Sequence, residues 1–190
     1  MASAIGIVSG LPRSGTSMMM KMLEAGGLEI ITDHVRAADE DNPKGYYEFE
    51  TVKTIQDDTS WLPDTRGKVF KMVSMLLPHL PADESYKIVF MRRDIDEILR
   101  SERKMLERLG KPTDIVDDGQ MKRLFEKHLK DIRRSLEEWD HVQWVEVWYN
   151  EILRGDVEPS LERVNRLFGG GLNVKHMADV VDPSLYRQKA

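Results

Sequence analysis

The stretch from Ile5 to Ala25 restricts the fold more than any other part of the chain. Ile5-Gly-Ile-Val-Ser9 is an apolar run of strand length, and Gly10-Leu-Pro-Arg-Ser-Gly15 is a loop holding two glycines. Residues from about 14 to 25 read as a helix, which Gly26-Gly27 ends. In an open α/β sheet a strand–loop–helix unit of this kind turns several backbone N–H groups and a helix N-terminus toward one point, which makes an anion site. Met18, Met19, Met20 and Met22 read as adaptable core packing of that helix rather than as a soft-metal site.

The spacing from Gly10 to Gly15 matches the start of the P-loop of nucleotide triphosphatases, but the residue after Gly15 does not. The P-loop lysine position is Thr16, and the cation of the loop is Arg13. A triphosphatase also needs an Asp for Mg²⁺ at the end of an apolar strand. Here the strand Tyr86 to Met91 runs into Arg92-Arg93, the strand Lys68 to Val73 into Ser74, and the strand Val142 to Trp148 into Tyr149-Asn150-Glu151. The expected chemistry is therefore an anion held by cations and amides, with no metal.

Strands alternate with helical patterns along the whole chain. Helices are expected from Asp94 to Leu109, from Asp117 to Trp139 and after Pro159, with a short strand at Leu28 to Ile31 and a modest helix at Glu48 to Asp58. The tail after Gly169-Gly170-Gly171 shows no period. The predicted fold class is α/β, a P-loop-like three-layer sandwich with a mainly parallel sheet flanked by helices, and residues 1–190 are expected to form one domain. Ligands of such sheets sit beyond the carboxyl ends of the strands, so the glycine loop, Arg92-Arg93 and the polar segment after Ile31 should share one rim.

With 190 residues, 41% of them hydrophobic, the chain can bury a full core. A net charge of −5 argues against broad nucleic-acid binding, and no apolar segment approaches the ~20 residues of a membrane span. No basic region precedes the first apolar run, which leads straight into the glycine loop, so it reads as a core strand and not a signal peptide. The expected setting is cytoplasmic. The chain has no cysteine, hence no disulfide or thiolate site.

Arg92 and Arg93 precede a helix, where a cation faces the positive end of the macrodipole at a cost of roughly 0.3–1 kcal/mol. Either Asp94, Asp96 and Glu97 offset that cost, or a bound anion sits between arginine and helix amides. Ser101 lies eight positions after Arg93, about 9 Å along the helix axis.

Taken together, Gly10-Leu-Pro-Arg-Ser-Gly-Thr-Ser17 resembles the 5′-phosphosulfate loop of the sulfotransferases, in the arginine form of tyrosylprotein sulfotransferases and bacterial relatives. Val89 to Ser101 resembles the family's second motif, and Val145-Glu-Val-Trp-Tyr-Asn-Glu-Ile-Leu153 is similar to its late strand and the turn after it. Many cytosolic members instead carry Lys at the Arg13 position and an adenine-stacking Trp at the Met18 position. The resemblance implies 3′-phosphoadenosine 5′-phosphosulfate (PAPS) as sulfuryl donor, 3′,5′-adenosine bisphosphate as product, and a hydroxyl or amine acceptor. By the same resemblance Arg13, Ser14, Gly15, Thr16 and Ser17 bind the phosphosulfate, with Arg13 on the leaving oxygen. Arg93 and Ser101 bind the 3′-phosphate.

The acceptor needs a base within hydrogen-bond reach. Counting from Arg13 on the tyrosylprotein pattern gives His34, beside Asp33, with Glu48 as the other candidate; Trp61, Tyr46 and Tyr47 either line an acceptor pocket or simply pack. His79, His128, His141 and His176 show no metal-ligand spacing. Two other readings of the same residues are a P-loop small-molecule kinase and a non-catalytic nucleotide-binding protein.

Overall fold

Four strands, β1 (Ile5–Gly10), β2 (Val69–Val73), β3 (Tyr86–Arg92) and β4 (Val142–Trp148), form one sheet in the order β2-β1-β3-β4, and every neighbouring pair is parallel. The structure is a computed structural model and describes residues 3–33, 47–113, 117–155 and 157–182. Six helices are described: α1 (Thr16–Ala25), α2 (Ile95–Arg108), α3 (Asp118–Glu138), α4 (Tyr149–Arg154), α5 (Glu158–Leu167) and α6 (Val174–Asp179). None among the described residues is long and apolar enough to cross a membrane.

The two-residue period of the strands divides the interior into two cores. Ile5 and Ile7 of β1, Phe70 and Met72 of β2, and Tyr86, Ile88 and Phe90 of β3 pack with Ile98 of α2 and Leu129, Ile132 and Leu136 of α3. Val8, Val69, Val89, Met91 and Val147 point the other way, onto Met19, Met20, Met22 and Leu23 of α1, Leu161 and Val164 of α5, and Met177 of α6. This is a three-layer α/β arrangement, and it explains why β1 and β3, covered on both faces, read as near-continuous apolar runs. The methionines of α1 are core residues: Met19, Met20 and Met22 are fully buried.

Register decides where the site lies. Gly10 is opposite Val73 on one side and Met91 on the other, and Arg92 is opposite Trp148. The loop after β1, Arg93 after β3 and Tyr149-Asn150 after β4 therefore leave the sheet at one edge.

Local structure departs from the sequence reading at several points. Leu28 to Ile31 makes only a single bridge, Ile30 to Val69, supported by Ile31 N–H donating to the Val69 carbonyl at 2.8 Å and Val69 N–H to the Glu29 carbonyl at 2.9 Å. Thereafter Thr32 Oγ1 and the Asp33 N–H both turn to the Glu48 carbonyl, which draws the chain off the sheet edge. The Glu48 to Asp58 stretch forms one 3₁₀ turn at Glu50–Thr54, in keeping with the poor helix propensity of Thr51, Val52 and Thr54. The tail does contain a helix, α6, too short to show a period; the Asn173 side chain accepts from the His176 N–H and Met177 is buried.

Candidate active site

Backbone geometry shapes the loop after β1. A Cβ on Gly10 would lie 2.6 Å from both the Met91 carbonyl oxygen and Ser14 Oγ, so only glycine lets the loop leave the sheet this close to β3. Ser14 folds back, its N–H and its hydroxyl both donating to the Leu11 carbonyl at 3.2 and 2.6 Å. That turn delays the helix, which begins at Thr16 and not at Ser14. Gly15 takes φ 95°, and a Cβ there would overlap Tyr149 Cδ2 and sit 3.1 Å from Cε2. The first turn of α1 has no side-chain cap and no acidic residue. Its leading N–H groups and the positive end of its dipole thus face the rim, the arrangement that favours an anion.

Arg13 takes φ 65°, a left-handed conformation uncommon outside glycine. Its Nε donates to Ser101 Oγ on α2 at 3.0 Å. Its carbonyl accepts from Arg93 Nη1 at 3.0 Å. Arg93 is buried at 7% exposure, its Nε donates to Glu97 Oε2 at 2.9 Å, and its guanidinium lies over the Tyr149 ring, 4.5 Å from the centroid. Glu97, fully buried, accepts from Asn150 Nδ2 through its other oxygen at 2.9 Å. Asp94 caps α2, accepting from the Glu97 N–H at 3.1 Å. Asp94 and Glu97 thus stand where they offset the cost of a cation at this end of α2. Half-buried Glu102 lies close to Arg13; burial pushes its carboxyl up, and the Arg13 charge works against that rise.

A second group of side chains flanks the start of α1. Lys71 projects from β2 with its Nζ 3.3 Å from Ser17 Oγ and 3.4 Å from Glu48 Oε1. The neighbouring acid, Asp33, accepts from the Glu50 N–H at 2.6 Å, and so caps the 3₁₀ turn.

No protein-family model matches the chain, and no curated protein matches it by sequence. Solved structures do match. The sulfotransferase STF1 from Mycobacterium tuberculosis H37Rv aligns with a TM-score of 0.61 over 95% of this chain and 71% of that one, at 14% identity. The fold is that of the sulfotransferases. The sulfotransferase domain from the curacin biosynthetic pathway aligns with a TM-score of 0.53 over 99% of this chain and 78% of that one, at 12% identity. At such identities the likeness is one of backbone, and the chemistry has to be argued from side chains.

On this sulfotransferase fold Arg13, Ser14, Gly15, Thr16, Ser17, Arg93 and Ser101 gather at one edge of the sheet. Arg93 and Ser101, expected to act as a pair, are each bonded to Arg13 and not to one another among the described residues. Glu48 comes to the start of α1 through Lys71, whereas Asp33 is turned to the backbone of residue 50. His34 and Tyr46 lie outside the described residues. Tyr47 donates to Glu24 Oε2 at 2.5 Å, and Trp61 packs edge-on against Phe49 and Phe70. Sequence reasoning missed Lys71, Tyr149 and Asn150 as parts of this edge. Lys71 had a readable signal, a lone cation at an inward position of the apolar strand Val-Phe-Lys-Met-Val.

Proposed function

We propose that this chain is a sulfotransferase that moves the sulfuryl group of PAPS to a hydroxyl or amine acceptor. The observation that supports it best is the joining of the glycine loop to Ser101 and Arg93 through Arg13: a set of amides, guanidinium groups and hydroxyls suited to a donor with two separate phosphate groups. Transfer in line breaks the bond from sulfur to the 5′-phosphate oxygen and forms one to the acceptor oxygen or nitrogen, with little covalent work for the protein. The N–H groups at the start of α1 and the hydroxyls of Thr16 and Ser17 hold the phosphosulfate. Ser14, whose hydroxyl is turned to Leu11, shapes the loop. Arg13 and Lys71 are the cations at hand to stabilise charge on the leaving phosphate, where preorganised donors contribute most.

Glu48 is the base, taking the acceptor proton as the new bond forms. Its carboxylate is half-buried beside the Lys71 ammonium, itself within reach of the first turn of α1. Asp33 supports the chain leading to it. The test is transfer of labelled sulfate from PAPS over a panel of hydroxyl and amine acceptors, comparing the native chain with Glu48→Gln, Asp33→Asn and His34→Ala. Glu48→Gln should lose about 10²–10⁴-fold in turnover, the usual worth of a general base. Full loss in His34→Ala with Glu48→Gln unaffected would move the base to His34. Absence of transfer to every acceptor, with nucleotide still bound, would favour a non-catalytic binding protein.

A further inference from the structure

Arg13 and Tyr47 are the non-glycine residues with left-handed backbone among the described residues, at φ 65° and 52°. Arg13 belongs to the glycine loop, and Tyr47 immediately precedes Glu48. A bulky aromatic residue keeps such a conformation only where its surroundings impose it. The Tyr47 ring packs on the core that α1 closes, and its hydroxyl donates to Glu24 Oε2 at 2.5 Å. Burial above all, and then Glu24, push the phenol above its ordinary value of 10, so the hydroxyl stays a donor. Glu24 lies seven residues after Ser17, on the same face of α1 and about 10 Å along its axis. Tyr47 therefore fastens to the far end of a stripe whose near end, Ser17, faces Lys71 and through it Glu48. From the opposite side the Glu48 carbonyl accepts from Thr32 Oγ1 and from the Asp33 N–H, each at 3.0 Å, and the Glu50 N–H donates to the Asp33 carboxylate.

We propose that Tyr47 is a positioning residue for Glu48: its bond to Glu24 pins the segment to α1, the Thr32 and Asp33 bonds pin it from the other side, and the Glu48 carboxylate is thereby held beside Lys71 at the start of α1. With the phenol anchored, the left-handed turn at residue 47 sets the direction in which the next side chain leaves the backbone. Proton transfer requires the base within hydrogen-bond reach of the acceptor, and a displacement of about 1 Å is enough to slow it. The proposal rests on the reading of Glu48 as the base and deepens it, tying that base to the last turn of α1.

The test combines sulfate-transfer kinetics with amide hydrogen exchange. Tyr47→Phe, which keeps the ring, and Glu24→Ala should each lower kcat about threefold to tenfold, the worth of one hydrogen bond, and leave KM for PAPS within about twofold. Glu24→Gln retains an acceptor for the phenol and should restore most of the turnover that Glu24→Ala loses. A residue that acts through Glu48 has nothing left to position once the carboxylate is gone, so Tyr47→Phe should not slow Glu48→Gln any further. Exchange reads the same anchor without catalysis: in Tyr47→Phe the Asp33 and Glu50 amides should exchange about threefold to tenfold faster, with those of β1 unchanged. Unchanged exchange, undiminished kcat in Tyr47→Phe and Glu24→Ala, or equal slowing in the native and Glu48→Gln backgrounds would each overturn the proposal while leaving Glu48 as the base. Turnover undiminished by Glu48→Gln, or a native chain that transfers nothing, would overturn the reading of Glu48 as the base and the proposal with it.

Discussion

Gly15 and Gly155 have nearly the same backbone angle, φ 95° and 97°, yet alanine should be far costlier at the first. An L-residue in the left-handed region costs roughly 1–2 kcal/mol at either position, and the entropy gained by stiffening the unfolded chain is common to both. At Gly155 a Cβ meets nothing within 4 Å. At Gly15 it overlaps Tyr149 Cδ2 and lies 3.1 Å from Cε2, against a ring held by Arg93. Forcing a methyl group into a packed site adds about 1–3 kcal/mol. For a domain of this size each kcal/mol moves the melting temperature by roughly 2–4 °C, so Gly15→Ala should melt about 2–12 °C below Gly155→Ala. Thermal unfolding followed by circular dichroism measures the difference directly. Equal melting temperatures for the two variants would refute the close packing of the loop on Tyr149.

Other consequences are tested more simply. Glu97→Ala strands a buried Arg93 and should cost about 3–5 kcal/mol in urea unfolding, whereas a loss below about 1 kcal/mol would contradict the buried pair. Burial holds the His128 imidazole below its ordinary value of 6.5, against a weaker opposing effect of Asp131, while Ser74 Oγ lies 2.8 Å from its Nε2. A base whose folded pKa is depressed takes up protons more readily in the unfolded chain. Its contribution is therefore intact above the unfolded value and is lost as pH falls from there through the folded one. Urea midpoints measured on either side of that ordinary value should show a decline toward acid that is reduced in His128→Gln. Lys71→Met should weaken 5′-phosphate nucleotides about tenfold by calorimetry, as loss of one charged donor predicts; unchanged affinity would remove Lys71 from the site.

Strands β1 and β3 were legible because a parallel strand covered on both sides is a short apolar run, and α2 and α3 because each carries a long amphipathic pattern. Leu28 to Ile31 has the same composition as a strand, but a strand is defined by its partner, and only Ile30 finds one on Val69. Helix α6 is held by the Asn173 cap and by Met177 packing against Gly26, neither of which leaves a period in six residues. At the site, the loop and the residue types were readable; their pairing was not. Ser101 accepts from a side chain 88 positions earlier, and Lys71 meets a serine 54 positions away, contacts that exist only once β1, β2 and β3 are in register. Glu97 is four residues after Arg93, a helical spacing that announces an ion pair, but its full burial depends on Asn150 arriving from the end of β4.

The central claim is that this edge of the sheet binds a nucleotide bearing both a 5′- and a 3′-phosphate without the help of a metal. Thermal unfolding of the native chain with 3′,5′-adenosine bisphosphate, AMP and Mg·ATP tests it most directly. A ligand at 100 times its dissociation constant adds about 2.7 kcal/mol. For a chain of this length that raises the melting temperature by roughly 5–11 °C. The account predicts a shift of that size with the bisphosphate in the presence of EDTA, and a much smaller one with AMP. Equal shifts with AMP and the bisphosphate, or a larger shift with ATP that requires Mg²⁺, would contradict it.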